Sequence, residues 1–298
     1  MFTLRKLTLA IAISGLLSTP LMAATEAAQP VRILASLPIT YGLSELLLND
    51  SGVTLERAAA ANLPGSRQSA YFSGRGAPAL HTLAENADAV VGLRSLWSDD
   101  PLYPMARRSN IRIVEVDAAR PVDGSLPGIA MQSEAHSDGL NSQPWLASNN
   151  MGRMADVIAA DLVRLAPDAK PKIEANLANL KQRLLKLSAE SEARLAKADN
   201  LSVVSVSDRL DYLISGLNLE RVEVAHKSDD PWTPEALKAL TQTLKDNDVA
   251  LVLDHRKPTP ELKAAIAAGG SQLVVINADG ADPVAELQGN IDEIVKAL

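Results

Sequence analysis

The chain has 298 residues, 47% of them apolar, which is enough for one or two packed domains and excludes wholesale disorder. Aromatic residues make up 3% and the formal net charge is −7, so the composition offers neither a base-stacking surface nor a basic face for nucleic acid. There is no cysteine, which rules out disulfides, thiolate nucleophiles, iron–sulfur clusters and thiolate zinc sites.

Arg5 and Lys6 precede an apolar run from Leu7 to Leu17, and Pro20, Ala23 and Ala24 follow. A basic start, a short apolar stretch and small residues read as a secretory signal peptide over residues 1–24. The run is too short for a span, which needs about 20 apolar residues. An exported chain without disulfides must hold its fold by core burial, which suits a sizeable periplasmic protein.

Val31 to Leu37 reads as a buried strand, Ile39 to Leu48 as a helix and Val53 to Ala58 as a short strand. Ala61 to Gly76 carries Gly, Ser and Pro and reads as a loop. A helix over Pro78–Glu85 and strands over Ala87–Leu93 and Ile111–Val116 complete the first half, before an irregular stretch from Asp117 to Gln143. Met151, Met154, Val157, Ile158, Leu162 and Leu165 then recur at helical spacing until Pro167. A second helix, about Pro171 to Ala198, carries the stripe Ile173, Leu177, Leu180, Leu184 and Leu187, best suited to packing inside its own protein. The strand–helix alternation then restarts. Strands fall at Leu201–Val206, Val222–Ala225, Val249–Leu253 and Leu273–Ile276; helices fall from Leu210, at Pro234–Lys245, at Thr259–Ala268 and at Ala285–Leu298. Alternation of this kind predicts α/β architecture, a mainly parallel sheet flanked by helices in each half. The expected division is an N-terminal lobe over residues 25–147, a linking helix over 148–167 and a C-terminal lobe over 168–298.

Ligands of open parallel sheets sit beyond the carboxyl ends of the strands. Arg94, Ser207 with Asp208 and Arg209, and Asp254 with His255 and Arg256 all follow apolar strand runs. Arg67, Gln68, Tyr71 and Arg75 join them from the loop after the second strand. Asp254 and His255 are the candidate metal contacts. His81, His136 and His226 are scattered, and His81 falls within an expected helix.

Four segments carry a resemblance to a known family. They are Leu63-Pro64-Gly65, Gln143-Pro144-Trp145-Leu146 ahead of the long helix, Val206-Ser207-Asp208 with Tyr212 nearby, and Leu251-Val252-Leu253-Asp254. In this order the chain resembles the solute-binding proteins of zinc, manganese and iron ABC importers, over essentially its whole mature length. The resemblance implies two α/β lobes joined by one long helix, and a solute held in the cleft and passed to a membrane permease. It implies a metal ion or metal chelate as cargo, with no cofactor. The family's pattern holds its metal with histidines from three of these segments and a carboxylate from the fourth. Here Gln143 and Ser207 stand at two histidine positions, Ser66 to Phe72 contains no histidine, and Asp254 alone keeps a ligand type. Neutral amides and hydroxyls are poor replacements for imidazole.

The same neighbourhoods carry Arg67, Arg75, Arg94, Arg209 and Arg256, whose guanidinium forks match carboxylates and other oxyanions and repel a bare cation. Trp97, Trp145, Trp232 and Tyr71 offer flat surfaces for a ring. The expectation is therefore a binding protein for a metal chelate of the iron–siderophore type, as some relatives escort. The alternative is direct binding of a zinc, manganese or iron ion. An enzyme is not expected, because the chain shows no nucleophile elbow, His-Glu-x-x-His or phosphate loop.

Overall fold

The computed structural model describes residues 30–122, 124–132, 143–226 and 230–298. The expected signal peptide and His136 lie outside the described residues. No helix among the described residues is long and apolar enough to cross a membrane.

The N-terminal lobe is built on β1 (Arg32–Ala35), β2 (Thr54–Arg57), β3 (Ala89–Gly92) and β4 (Val114–Asp117). They form one parallel sheet in the order β2-β1-β3-β4. Its helices are α1 (Pro38–Leu48), α2 (Gly65–Ser73), α3 (Ala77–Glu85) and α4 (Leu102–Ala106). After a 3₁₀ turn at Pro144–Leu146 come α5 (Ser148–Leu165) and α6 (Lys170–Leu195). The C-terminal lobe repeats the plan with β5 (Ser202–Ser205), β6 (Glu220–Arg221), β7 (Leu251–Asp254) and β8 (Gln272–Val275), parallel in the order β6-β5-β7-β8. Its helices are α7 (Asp211–Gly216), α8 (Pro234–Asp246), α9 (Pro260–Gly269) and α10 (Pro283–Ala297).

Local chemistry explains several boundaries. Thr233 and Thr259 accept hydrogen bonds from the N–H groups of Ala236 and Leu262, and a proline at the first turn follows each. Asp282 caps α10 through the N–H groups of Val284 and Ala285. Gly270 ends α9 in the left-handed region, at φ 88°, where a Cβ would be strained. β1, β3, β5 and β7 are central strands buried on both faces, which is why they read as unbroken apolar runs.

Two expectations need correcting. Residues 65–73 are helical although Gly, Ser and Pro marked them as a loop. Gln68 and Phe72, four apart, bury one face against the lobe, and tertiary packing outweighs weak intrinsic propensity. The strand expected at Val222–Ala225 is only Glu220–Arg221, an exposed edge that β5 pairs on one side. The short α4 was not foreseen.

The lobes share one apolar core. It runs from Ile33, Leu43 and Val91, through Met154, Ile158 and Leu162 of α5 and Leu180 and Leu184 of α6, to Val203, Leu251 and Ile291. Helix α6 packs on both α1 and α10. Its Asn176 donates to the carbonyls of Leu47 and Asn49, and its Arg183 pairs with Asp282 at 2.7 Å. Gly42 of α1 lies against the chain just before α10. A Cβ there would sit 2.7 Å from the Ala281 carbonyl oxygen and 2.8 Å from Pro283 Cδ.

Candidate functional site

A cavity of about 540 Å³ opens at the carboxyl ends of the strands, between the two lobes. The first turn of α1 (Leu37, Pro38, Ile39) and the approach to α2 (Ala61 to Ser66) form its N-terminal wall. Gln143 and Trp145, just before α5, line it as well. Arg209 after β5, with Ala278 and Asp279 after β8, completes it from the other lobe. In each sheet the two inner strands, β1 and β3 or β5 and β7, lead on to opposite edges, and the switch point between them is where open α/β sheets hold ligands.

The loops carrying these side chains are fixed. Gln68 is fully buried, and its Nε2 donates to the Ser36 carbonyl at 3.3 Å, tying α2 to the β1–α1 turn. Asn290 of α10 accepts from the Asn277 N–H at 3.0 Å and donates to the Asn277 carbonyl at 2.6 Å. Glu286 accepts from the Gly280 N–H at 2.8 Å. These bonds bracket Asp279. Burial raises the Glu286 carboxyl above its usual range, against the lowering effect of the Gly280 hydrogen bond. Gln143 Oε1 and Trp145 Nε1 are buried with no hydrogen-bond partner among the described residues.

Behind Arg209 lies a connected polar cluster. The Ser207 hydroxyl meets His255 Nδ1 at 2.6 Å and accepts from the Arg209 N–H at 3.2 Å. Asp254 is 2% exposed, and its Oδ1 accepts from the N–H groups of His255 at 2.8 Å and Arg256 at 3.1 Å. Arg256 Nε lies 3.6 Å from the same oxygen and its Nη2 donates to the Val206 carbonyl at 3.4 Å. Asp254 thus closes the turn after β7 and does not line the cavity; Asp279 is the acid that does. Replacing Asp254 with alanine orphans two backbone donors and is expected to cost about 1–3 kcal/mol of stability, read by urea denaturation. The accompanying loss of ligand affinity should be smaller than for Arg209→Gln.

Two histidines of this lobe titrate low. Burial pushes His255 below the usual range, the Arg209 guanidinium adds to the effect, Asp254 opposes it and Arg256 reinforces it. Burial also lowers His226, opposed by Asp230 and reinforced by Arg256; its ring stacks on Trp232 at 3.6 Å between centroids. A base lowered by folding binds fewer protons in the native state than in the unfolded one. Its contribution is therefore complete above the unfolded value of about 6.5 and is lost as pH falls through the folded value. Melting temperature should drop on acidification from pH 7, and His255→Gln should flatten the drop. Glu115 and Glu286, both raised by burial, act in the opposite sense, so the comparison is between the two melting curves at each pH.

The other residues singled out from sequence lie elsewhere. Arg67 and Arg75 are exposed on or just after α2, and Arg75 sits 5.6 Å over the Tyr71 ring. Tyr71 packs beside Phe72 in the N-terminal lobe. Arg94 is held by Glu115, with Nη1 3.1 Å from Oε2. Helix α2 accounts for the first three, because its inward face is taken by Gln68 and Phe72. Among the expected ligand residues, Gln143 and Arg209 line the cavity, whereas Ser207, Asp254, His255 and Arg256 form the cluster behind it. Asp279 was not among the residues singled out from sequence; it lies in the run Asn277-Ala-Asp-Gly just beyond β8, where the strand-end rule also points. Among the described residues no group of three or more His, Cys, Asp or Glu side chains is placed to hold a metal ion.

Residues 82–297 match the family described as zinc-uptake complex component A, periplasmic. The chain belongs to this family. It is a periplasmic metal-binding component of an ABC importer, and the family is one of solute-binding proteins, not enzymes. No curated protein matches the chain. Solved structures share its fold. A zinc-bound ZnuA with residues 138–173 deleted superimposes with TM-score 0.68 at 21% identity, over 90% of this chain and 98% of that one. The SBP FpvC from Pseudomonas aeruginosa in complex with Ni2+ gives 0.65 at 23% identity, over 90% and 97%. The Zn(II)-bound ZnuA-like domain of Streptococcus pneumoniae AdcA gives 0.68 at 16%, over 90% and 99%.

Proposed function

We propose that the protein captures a metal chelate of the iron–siderophore type in the interlobe cavity and delivers it to the membrane permease of its importer. The observation that carries this reading is the composition of the cavity wall. A bare transition metal asks for about four imidazole, thiolate or carboxylate donors. Here the wall offers one guanidinium from Arg209, two amides from Asn62 and Gln143, the Ser66 hydroxyl, the Trp145 indole N–H and one carboxylate from Asp279. These groups match the oxygens and amides of an organic ligand. The cavity falls within the range of about 300–1,000 Å³ typical of small-molecule sites, far more than one ion needs. A neighbouring hollow of about 500 Å³, lined by Trp97 and Pro101 among others, shares Ser66 with it and adds room for a larger ligand.

A second reading, import of a free zinc, manganese or iron ion, is favoured by the solved relatives, since FpvC is described in complex with Ni2+ and with Mn2+. Calorimetric titration of the purified protein separates the two. Ferric chelates are expected to bind with micromolar or better affinity, and free Zn2+, Mn2+ and Fe2+ far more weakly. Micromolar binding of a free ion, with none for the chelates, would reverse the assignment.

A further inference from the structure

Helices α1 and α2 both begin at the cavity, and neither N-terminus is capped by a side chain. The N-cap residues are Leu37 and Pro64. The first intrahelical acceptors are taken up by the N–H groups of Tyr41 and Arg67, which donate to the carbonyls of Leu37 and Pro64. Pro38 has no N–H, so Ile39 and Thr40 in one helix, and Gly65 and Ser66 in the other, keep backbone donors without an intrahelical partner. Each helix end also carries about half a positive charge from its aligned peptides. The Gln68 bond to Ser36 holds the two ends together.

Two buried side chains point independently to a ligand at this wall. Trp145 is 5% exposed and Gln143 is 7% exposed; among the described residues the Trp145 indole N–H has no acceptor and the Gln143 Oε1 no donor. Both line the cavity. Leaving such groups dry and unpaired is costly, and a bound molecule with complementary oxygens and a donor relieves it. Arg209 adds a full positive charge from the opposite lobe. The sum is a wall that attracts oxyanions and repels a free cation.

We infer that the α1 and α2 N-termini, with Trp145 and Arg209, form an oxyanion cradle that takes a free carboxylate arm of a negatively charged metal chelate. The inference rests on the chelate reading and narrows it to anionic, carboxylate-bearing chelates. The carboxylate's two oxygens meet the paired helix ends, and Arg209 closes on it from the other lobe as a charge-assisted partner. Asp279, also on that lobe, is the one acidic side chain lining the cavity among the described residues, and it suits the metal or hydroxyl end of the same ligand.

The test uses the full mature chain and six probes: metal-free citrate, ferric citrate, inorganic phosphate, a cationic ferric tris-hydroxamate, and bare Zn2+ and Mn2+. Affinities are read by calorimetry at low and high salt. Ferric citrate should bind tightest, metal-free citrate measurably, and both should weaken as salt rises. Ser66→Asp places a carboxylate in the cradle, where it also suits the α2 terminus, so melting temperature should hold or rise while citrate affinity falls at least tenfold. Ser66→Asn and Trp145→Phe separate charge from shape: the first should retain most affinity, the second lose several-fold through the missing N–H alone. Wild-type citrate affinity in Ser66→Asp, or no binding of either citrate form, overturns the cradle. Phosphate binding as tightly as ferric citrate overturns the carboxylate assignment. Tight binding of the cationic complex with none for citrate overturns the cradle while leaving chelate capture standing. Tight binding of bare Zn2+ or Mn2+ overturns both.

Discussion

Arg209→Gln should weaken capture of an anionic ferric chelate by about ten- to a hundredfold, the range expected when a charge-assisted hydrogen bond worth about 1.5–3 kcal/mol is lost. Calorimetry or intrinsic fluorescence measures it. Arg209 is half-buried at the cavity, and its backbone N–H, which the substitution retains, is what anchors the turn to Ser207. Stability should therefore change little. The folded protein is even relieved of one positive charge beside His255, so the His255 titration should move back up toward its usual range; NMR of the imidazole reports this without any ligand present. An affinity equal to wild type would remove Arg209 from the binding surface. A lost affinity with an unmoved His255 would mean the side chain points away from the cluster.

Strands with both faces buried were plain in the sequence, because a continuous apolar run such as Ala89–Gly92 or Leu251–Leu253 is too short for a helix and is rich in Val and Leu between turn signals. Helix α2 was hidden for the opposite reason. Its nine residues hold one large apolar side chain, Phe72, and its inward polar residue, Gln68, earns its burial through a carbonyl 32 positions away. No local pattern encodes that bond. Edge strand β6 was misplaced because only its pairing with Ser202 and Val203 defines it.

The candidate site was only partly legible in the sequence. Arg209, beyond the end of β5, and Gln143, ahead of α5, line the cavity. A strand-end carboxylate, however, has two fates that sequence does not separate. It can line the cavity, as Asp279 does, or fold back onto the N–H groups of the next residues, as Asp254 does with His255 and Arg256. The same ambiguity applies to arginine. Arg94 was spent on Glu115, across two adjacent strands, an ion pair that requires the register Val90↔Glu115 to be known. The uncapped helix ends at Leu37 and Pro64 were visible as letters, but their convergence on one cavity depends on sheet order.

Ile158→Ala should cost about 2–5 kcal/mol, and the loss should be shared by both lobes. Ile158 is fully buried on α5, in the core that runs from Ile33 and Val91 to Val203 and Leu251. Deleting three carbons there leaves a void between elements whose positions are fixed on several sides: α5 packs on α1, β4 and α6, and α6 is tied in turn to α10. Little of that void can close, which places the cost in the upper half of the range. Urea denaturation followed by Trp97 in the first lobe and Trp232 in the second should give one coincident transition in both wild type and variant. A shared core of this kind also sets how the protein works. With Gly42 against Ala281 and Pro283 and an apolar core common to both lobes, opening by a wide hinge would have to break apolar contacts, so the expected mode of capture is closure of side chains and loop edges. Two separated transitions, or a loss confined to Trp97, would show that the lobes unfold independently and would return a hinge motion to the mechanism.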